Sequence, residues 1–354
     1  MAFGRYEILA KIGEGAMGTV YRAQDVALGR VVALKVLAAD LGAADELTQR
    51  FHREAEAIGR LNHPNIVQVY DLGRAEGRLY MAMELLEGDD LRALIERRAD
   101  VGLADRVRIF REICSGLGYA HSKGVIHRDI KPANILVTAN GRVKILDFGL
   151  ARVASQQTIT RRGVILGTPD YMSPEQAMGK PVDYRSDIFS AGAVLYEFLT
   201  LQKPFKGKTL HSVLYQIVSE EAPPVLTLNP DVPARLAAVV HRMLDKDPDH
   251  RYASMEAVGE DIDRIHSALR RSHSRSAIPP PTTEQAQALS EETRARVRDL
   301  VSRGRVQFDA GEYAKALFEV KAALALDPMC AEAAELLWRA GKRLQEGRDS
   351  PSAR

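Results

Sequence analysis

The sequence contains little of what several protein classes require. It has only two cysteines in 354 residues, Cys114 and Cys330, and they lie far apart in the chain. A disulfide framework is therefore not indicated, and we expect two small buried apolar side chains in a reducing cytosol. The 49 basic and 47 acidic residues leave a formal charge of only +2, which argues against a general polyanion or nucleic-acid binder.

Long apolar runs are also missing. A helix that spans a bilayer needs about 20 consecutive apolar residues, whereas the most apolar stretch, Ile188–Leu199, is interrupted by Ser190, Gly192 and Glu197. We interpret this stretch as a buried helix. A strand-like pattern begins as early as Tyr6, and no secretion signal of basic and then apolar residues precedes it. These features predict a cytoplasmic chain without a membrane span.

The most informative stretch runs from Val125 to Ala151. Two short β-rich runs, Ile135–Thr138 and Val143–Leu146, flank an Asn-Gly turn, which is a strong hairpin signal. Polar residues precede the first run, and the second run leads into Asp-Phe-Gly. The hairpin should therefore bring a set of polar side chains to one edge. These are His127, Arg128, Asp129, Lys131, Asn134 and Asp147.

These residue types suit a phosphoryl-transfer site. Mg²⁺ prefers oxygen ligands and is usually held by one or two protein groups plus substrate phosphates, a role open to Asp147 and Asn134. Asp129 can accept a proton from an attacking hydroxyl or orient it, and Lys131 can neutralise charge on the phosphoryl group. The alternative is a chance hairpin with charged loops, but chance does not explain two motifs at this spacing.

The stretch resembles the catalytic loop and Asp-Phe-Gly motif of serine/threonine protein kinases of the eukaryotic-like (Hanks) type found in bacteria, because its loop reads His-Arg-Asp-x-Lys-x-x-Asn. The resemblance implies an α+β, two-lobed kinase domain over 6–271. A small β-rich N-lobe would cover 6–84 and a larger helical C-lobe 88–271. It also implies ATP and Mg²⁺ as cofactors, with Mn²⁺ as a substitute, and protein serine or threonine hydroxyls as substrates.

A glycine-rich run lies between two predicted strands, Tyr6–Lys11 and Gly18–Ala23. Glycine lets the backbone approach phosphate closely. The pattern Gly-x-Gly-x-x-Gly is weak alone, because dinucleotide folds use it between a strand and a helix. Here a strand follows, which favours a flap over ATP. The resemblance places the nucleotide against Ile12, Gly13, Glu14, Gly15, Ala16, Met17, Gly18 and Val20.

The predicted strand Val31–Leu37 is apolar except for Lys35. A buried charge without a partner is costly, so this lysine needs an anion nearby. The next predicted helix, Leu47–Leu61, carries Glu54 and Glu56. By resemblance, Lys35 holds the α- and β-phosphates of ATP and Glu54 holds Lys35, with Glu56 as a competitor for that role. An ordinary surface charge pair is the alternative.

The resemblance also implies a hinge between the lobes at residues 83–88. Adenine would bond backbone groups there, so the side chains of this segment say little. Asp90 would touch ribose or a peptide substrate, although a solvated acid at a helix start explains it nearly as well. The other positions implied for the adenine pocket are Met83 as gatekeeper, Glu84 and Leu86 for backbone hydrogen bonds, and Val20, Ala33 and Leu136 around the ring.

A polar, loop-like stretch from Arg152 to Gly167 contains Thr158 and Thr160 and leads into Gly-Thr-Pro-Asp-Tyr-Met-Ser-Pro-Glu. This resembles the activation segment of a serine/threonine kinase. Phosphate on either threonine would order the loop through Arg128, whose guanidinium can grip phosphate bidentately. An unmodified flexible loop is the alternative. The resemblance also implies three structural contacts: Thr168 would bond Asp129 and Lys131, Asp187 would anchor the catalytic loop, and Arg251 would pair with Glu175.

The composition changes after the last kinase-like helix, Met255–Arg271. Residues 272–290 are rich in Ser, Arg and Pro, which predicts an extended linker. A helical pattern resumes over 291–346, where Val297–Cys330 resembles a tetratricopeptide repeat and Ala331–Leu344 follows as a third helix. A plain helical hairpin is the alternative. A single repeat buries its own face poorly, so the segment could bind a partner, self-associate or pack on the kinase domain.

Two other classes of function compete with an active signalling kinase. A kinase-shaped scaffold that recruits partners through the helical segment should lack a member of the catalytic set, and none is missing. A small-molecule phosphotransferase usually lacks the peptide-binding segment Gly167–Glu175, which is present. Gly207-Lys208-Thr209 resembles the end of a phosphate-binding P-loop, but Gln202 stands where that motif needs glycine.

Overall fold

The computed structural model describes residues 2–15, 18–37, 57–148, 169–276 and 291–327, with single residues between 330 and 343. The chain divides into two compact units, residues 1–273 and 274–354. The first unit contains strands and helices, and the described part of the second is helical.

The N-terminal part of the first unit is an antiparallel sheet of six strands in the described residues, in the order β1-β2-β3-β4-β6-β5. The first strand was not predicted, and it forms because Phe3, only 2% exposed, packs into the core of the sheet. The strands are β1 (Ala2–Phe3), β2 (Tyr6–Gly15), β3 (Gly18–Asp25), β4 (Arg30–Leu37), β5 (Val69–Ala75) and β6 (Arg78–Glu84).

Strand β4 separates two hydrophobic cores. Side chains alternate across a strand, so Val32 and Leu34 join a cluster with Phe3 on one face. Ala33, on the other face, belongs to the large core that continues into the helical part of the unit. Lys35 follows the same alternation as Ala33, and this places it on the face that looks toward the catalytic loop.

The C-terminal part of the first unit is mostly helical. A small antiparallel sheet, β7 (Gly88–Asp90), β8 (Ile135–Thr138) and β9 (Val143–Ile145), lies against the second helix. The predicted hairpin is thus present, with its second strand one residue shorter. The helices are α1 (Leu91–Glu96), α2 (Leu103–Ser122), α3 (Pro174–Ala177), α4 (Tyr184–Thr200), α5 (Leu210–Ser219), α6 (Val225–Leu228), α7 (Ala234–Met243) and α8 (Met255–Ser276).

Helix α4 is the centre of this part of the unit. All of its residues from Ser186 to Thr200 are buried, which suits a helix that is apolar on every side. Gly192 lets α7 come close, because a Cβ at that position would lie 2.7 Å from Cβ of Met243. The interpretation of Ile188–Leu199 as a buried helix is confirmed. Among the described residues, no helix combines the length and apolar content that crossing a bilayer requires.

Helix α8 runs five residues into the segment predicted as a linker from residue 272. Serine, histidine and arginine do not stop a helix, whereas proline disfavours helical backbone at the residue before it. The first proline of this region is Pro279, so the sequence allows the helix to continue to Ser276.

The second unit contains two consecutive helices, α9 (Glu291–Asp309) and α10 (Tyr313–Leu326), and the described residues between 332 and 343 are also helical. The two helices approach closely at Gly304, where a Cβ would lie 2.8 Å from Cγ2 of Val320. Ala316 and Ala323 are fully buried in the same interface. Small residues thus lie where two helices need them.

A half-buried lysine holds the C-terminal end of α5. Nζ of Lys246 donates to the backbone carbonyls of Gln216 and Ile217 at 3.2 and 2.7 Å, and it lies 3.9 Å from the centre of the Phe205 ring. Cations are favourable at a helix C-terminus, where backbone carbonyls lack helical partners. Burial, together with the nearby Arg251 charge, nevertheless lowers the pKa of Lys246 from 10.5 to about 8.

This lysine should make stability depend on pH. Between about pH 8 and pH 10 the unfolded chain binds more protons at Lys246 than the folded chain does, so raising the pH stabilises the fold. The measurement is the free energy of unfolding from urea titrations at several pH values. We expect the difference between the wild type and Lys246→Met (wild type minus variant) to increase from about pH 8 to pH 10. The same subtraction with Lys208→Met, an exposed lysine, should stay flat. A flat or falling Lys246 difference would contradict the lowered pKa.

Candidate active site

The side chains of the predicted catalytic loop converge on one carboxylate. Nζ of Lys131 lies 2.6 Å from Oδ2 of Asp129, and Nδ2 of Asn134 lies 3.1 Å from the same oxygen. Asn134 also donates to the backbone carbonyl of Asp129 at 2.7 Å. A 3-10 helix, Pro132–Asn134, links the two donors, since the backbone N–H of Asn134 donates to the carbonyl of Lys131 at 2.9 Å.

Lys35 and Asp147 form a second charged pair. Nζ of Lys35 lies 2.7 Å from Oδ1 of Asp147, and the lysine side chain is only 7% exposed. Asp147 has a φ of +59°, in a region that residues other than glycine adopt at a cost of roughly 1–3 kcal/mol and that clusters at functional sites. Glu54, predicted as the partner of Lys35, lies outside the described residues.

The two pairs belong to adjacent chain segments. The backbone N–H of Leu146 donates to the backbone carbonyl of Asn134 at 2.8 Å, so the residue before Asp147 is bonded to the catalytic loop. Oxygen atoms of Asn134 and Asp147 are therefore available from neighbouring positions. This arrangement fits a hard cation, which needs only one or two protein ligands when phosphates complete its shell.

A buried aspartate on α4 anchors the catalytic loop. Asp187 accepts hydrogen bonds from the backbone N–H groups of His127 and Arg128 at 2.8 and 2.7 Å, and Nε2 of His121 lies 2.8 Å from Oδ2, the oxygen that His127 also reaches. Burial would raise the pKa of Asp187, but these hydrogen bonds and the imidazole charges outweigh it and hold the pKa below its usual value. The bonds also hold Arg128 at a φ of +67°.

A buried ion pair involves Glu175, the last residue of the Gly167–Glu175 segment. The guanidinium of Arg251 grips Glu175 through two bonds of 2.9 and 3.0 Å, and the hydroxyl of Ser186 donates to the same carboxylate at 2.5 Å. Burial raises the pKa of Glu175, yet the hydrogen bonds from Arg251 and Ser186 lower it by more, so the net shift is downward. The structure thus brings together the pair that the sequence suggested.

The described part of the glycine-rich run covers the end of β2 and the start of β3, where Gly13 pairs with Val20. Gly18 has a φ of +146°, and a Cβ there would lie 2.2 Å from the carbonyl oxygen of Val36, so only glycine fits. Ile12 is 50% exposed, as expected for a surface flap. Ala16 and Met17 lie outside the described residues, while Glu14 and Gly15 are exposed.

The residues implied for the adenine pocket lie around the end of the large core. Ala33 and Met83 are directly paired across β4 and β6 and are 8% and 7% exposed. Val20 packs against the same core, and Leu136 is half-buried on β8. Glu84 ends β6, and Leu86 follows it between the two lobes.

Asp90 takes the helix-start role. Its Oδ1 accepts a hydrogen bond from the backbone N–H of Ala93 at 2.7 Å, which makes it the N-cap of α1. Its Oδ2 lies 3.3 Å from the guanidinium of Arg92. Both carboxylate oxygens thus have local partners, which favours the simpler of the two sequence interpretations. The described residues do not include Thr158, Thr160 or Thr168.

Sequence reasoning missed several polar residues next to the site. His121 contacts Asp187 from α2, although 66 residues separate them. Lys144 on β9 lies 2.5 Å from the carboxylate of Glu84, which ends β6. A lysine in the middle of an apolar strand was a usable signal for Lys144, because the same reasoning identified Lys35.

Comparison with known proteins agrees with this geometry. The protein kinase domain family matches residues 6–261. The chain is 42% identical to the serine/threonine-protein kinase PknB of Mycobacterium tuberculosis over 269 residues, which cover 74% of this chain and 43% of that protein. It is 39% identical to the serine/threonine-protein kinase PrkC of Bacillus subtilis over 275 residues, which cover 78% and 42%. The crystal structure of the PknI kinase domain of Mycobacterium tuberculosis matches with a TM-score of 0.61 and 29% identity, over 75% of this chain and 97% of that one.

The chain spans about two fifths of the length of these curated relatives. The family match ends at residue 261, before the second compact unit begins. Within the match lie the glycine-rich turn, the hinge, the catalytic loop and the segment that ends at Glu175. The expected α+β, two-lobed fold is confirmed, and the chain belongs to the protein kinase family.

Proposed function

We propose that this chain is a serine/threonine protein kinase, which transfers the γ-phosphoryl group of ATP to hydroxyl groups of proteins and uses Mg²⁺, with Mn²⁺ as a substitute. The observation that carries the proposal is the convergence of Lys131 and Asn134 on Asp129, beside the Lys35–Asp147 pair. Phosphoryl transfer is catalysed mostly by positioning and electrostatics, and this arrangement supplies both.

In this proposal Asp129 orients the attacking serine or threonine hydroxyl and accepts its proton. Lys131 and Asn134 hold the Asp129 carboxylate in place through bonds of 2.6 and 3.1 Å. The Lys131 ammonium is also proposed to neutralise charge on the transferring phosphoryl group. Each contact exists in the folded chain before the substrate binds, so little reorganisation is needed during the reaction.

Asn134 and Asp147 are the proposed metal-binding residues, and Lys35 is the proposed ligand of the α- and β-phosphates. A bound Mg²⁺ would neutralise phosphate charge. The Lys35 side chain is only 7% exposed, and the pairing with Asp147 offsets the cost of burying its ammonium group. Glu54 is proposed to share that pairing, and the glycine-rich turn is proposed to cover the phosphates.

The activation segment is proposed to be the regulatory part of the domain. Nε2 of Gln176 donates to the backbone carbonyl of Arg128 at 2.8 Å, so the end of that segment is bonded to the catalytic loop. A phosphate on Thr158 or Thr160 would meet the Arg128 guanidinium and order the loop between them. Thr168 is proposed to contact Asp129 and Lys131.

Phosphosite mapping tests the proposed activity and its self-activation together. Purified protein incubated with Mg-ATP should carry phosphate on Thr158 or Thr160, whereas Asp129→Asn should carry none. Replacing both threonines by alanine should slow phosphorylation of a protein substrate and alter its initial lag. If the double alanine variant kept its full rate and its lag, the switch would be wrong. If neither wild type nor Asp129→Asn became phosphorylated, self-activation would be wrong.

The second unit is proposed to be a tetratricopeptide-like segment that binds a partner or self-associates. Its support is the close approach at Gly304 and the buried Ala316 and Ala323. The proposed contact surface would include two large apolar side chains, Val306 and Phe318, which are 66% and 75% exposed. The alternative function, a scaffold that recruits partners through 291–346, would rest on this surface alone.

The proposed domain layout is a catalytic domain over 6–271, a linker over 272–290 and the repeat-like segment over 291–346. We propose a cytoplasmic location, supported by the two cysteines, which are both free thiols. Burial raises the pKa of the Cys114 thiol, so that residue is an inert part of the core, as expected for a small buried side chain.

A further inference from the structure

A three-way contact joins the hinge to the strand that leads into Asp147. The carboxylate of Glu84, at the end of β6, lies 2.5 Å from Nζ of Lys144 on β9. The same carboxylate oxygen accepts a hydrogen bond of 2.8 Å from the backbone N–H of Gln68. The backbone N–H of Glu84 in turn donates to the carbonyl of Gln68 at 2.9 Å. The start of the hinge is therefore held from two sides.

Lys144 makes the third connection. Its ammonium donates to the backbone carbonyl of Ile66 at 3.2 Å, so one cation bonds the hinge and the segment that precedes β5. Backbone bonds of 2.9 and 3.0 Å tie Ile145 to that segment, at Asn65 and Val67. The pair is mostly buried, since the side chains of Lys144 and Glu84 are 15% and 20% exposed.

The position of Lys144 explains why the contact should matter for nucleotide binding. Lys144 pairs with Leu136 in the β8–β9 register, and cross-strand neighbours project from the same face of a sheet. Leu136 is one of the residues that the kinase resemblance implies around the adenine ring. Asp147, proposed to bind the metal, follows Lys144 by three residues. The register thus makes Lys144 a neighbour of the implied adenine pocket, on the strand that leads to the proposed metal-binding residue.

We propose that Lys144 is a positioning residue that holds the hinge, through Glu84, at the place where its backbone groups meet adenine. Lys144 touches neither ATP nor the reacting atoms and acts only through the Glu84 contact. This inference rests on the proposed function, because it assigns a role in ATP binding. Its consequence is specific: loss of the contact should weaken ATP binding and leave the chemistry and the protein-substrate site unchanged.

Lys144→Met tests the inference, because methionine keeps the length and apolar stem of lysine and removes its charge. We expect the KM for ATP and the Kd for a non-hydrolysable ATP analogue to rise by about three- to tenfold, because the contact reaches ATP only through the hinge and passes on part of what a charged hydrogen bond contributes. The kcat and the KM for the protein substrate should change by less than about twofold. Lys144→Arg should keep nearly wild-type values, since it retains the charge and the donors.

Two further variants complete the design. Glu84→Gln removes the charge of the partner but keeps an acceptor for the Gln68 N–H, so its effect should be similar in kind. The double variant should be no worse than Lys144→Met alone, because both changes break one contact. Lys208→Met removes an exposed lysine and should leave ATP binding unchanged.

Hydrogen exchange of the hinge amides over residues 84–88 provides a readout that needs no nucleotide. Exchange should be about tenfold faster in Lys144→Met than in the wild type, and unchanged in Lys144→Arg and Lys208→Met. Unchanged exchange and unchanged ATP affinity in Lys144→Met would overturn the proposal. A fall in kcat together with similar rises in the KM for ATP and the KM for the protein substrate would also overturn it, because such a pattern indicates a general structural role. If the wild type bound no ATP, the proposed function would fail, and hinge exchange alone would still decide whether Lys144 holds the hinge.

Discussion

Asp147→Asn should reduce phosphotransfer to a protein substrate by at least about 10²–10³-fold, the usual cost of losing one preorganised electrostatic contact. The physical reason is that the substitution removes the negative charge of the Asp147 carboxylate. Asparagine has nearly the same shape, but it cannot supply the carboxylate charge that a hard cation needs, and it cannot neutralise Lys35. Lys35 is 7% exposed and lies 2.7 Å from Asp147, so its charge would lose a close counterion as well.

The measurement is the initial rate of phosphate incorporation from Mg-ATP into a serine- and threonine-containing protein, with thermal unfolding to show that the variant is folded. Asp89→Asn is the matched control. Asp89 pairs with Arg97 on the surface, and both side chains are about half exposed, so we expect a rate within about twofold of the wild type. Retention of more than about a tenth of the wild-type rate by Asp147→Asn would refute the metal-binding role.

Arg251→Met should destabilise the kinase domain by about 3–5 kcal/mol, because it leaves the buried Glu175 carboxylate without its bidentate partner. Only the Ser186 hydroxyl would still donate to that carboxylate among the side chains of the described residues. The arginine also bonds the backbone carbonyls of Asp245, Arg185 and Lys246, and these bonds would be lost too. Urea denaturation at neutral pH measures the effect.

Glu175→Gln should cost less than Arg251→Met, since Arg251 would keep its backbone acceptors and glutamine would still accept one hydrogen bond. The double variant should lose less than the sum of the single losses, because both changes break the same pair. Arg264→Met is the control: Arg264 and Glu260 form a surface pair in which both side chains are about 70% exposed, and we expect a loss below about 1 kcal/mol. Equal losses in Arg251→Met and Arg264→Met would contradict the burial argument.

The Glu175 pair also fixes the direction of a pH effect. The pKa of Glu175 is lower in the folded chain than in the unfolded chain, so its contribution to stability is present at neutral pH. That contribution disappears as the pH falls through the folded-state pKa, because the carboxylate must then be protonated. In Arg251→Met the main cause of the lowered pKa is gone, and this part of the acid dependence should be reduced.

Short-range structure followed from the sequence with small errors at the ends of elements. The β8–β9 hairpin was predicted because its Asn-Gly turn and alternating residues act over only a few positions. Strand β2 runs to Gly15, four residues beyond its predicted end at Lys11, since pairing with β3 continues through the glycines. Strand β1 was missed, because Ala2–Phe3 is too short to show a pattern and forms only by packing on β2.

The sequence by itself determined which chemical groups the candidate active site contains. The order and spacing of Asp129, Lys131, Asn134 and Asp147 are covalent facts, and the chemistry of each group is local, so the type of reaction could be inferred before any contact was known. The same holds for the strand that carries Lys35, whose apolar neighbours already demanded a counterion.

Only the tertiary structure decided which groups meet. Lys35 pairs with Asp147, Glu84 with Lys144, and Asp187 with His121, and each pair joins segments 60 or more residues apart. No local pattern encodes such distances, because they depend on how the sheet, the hairpin and the buried helix α4 pack together.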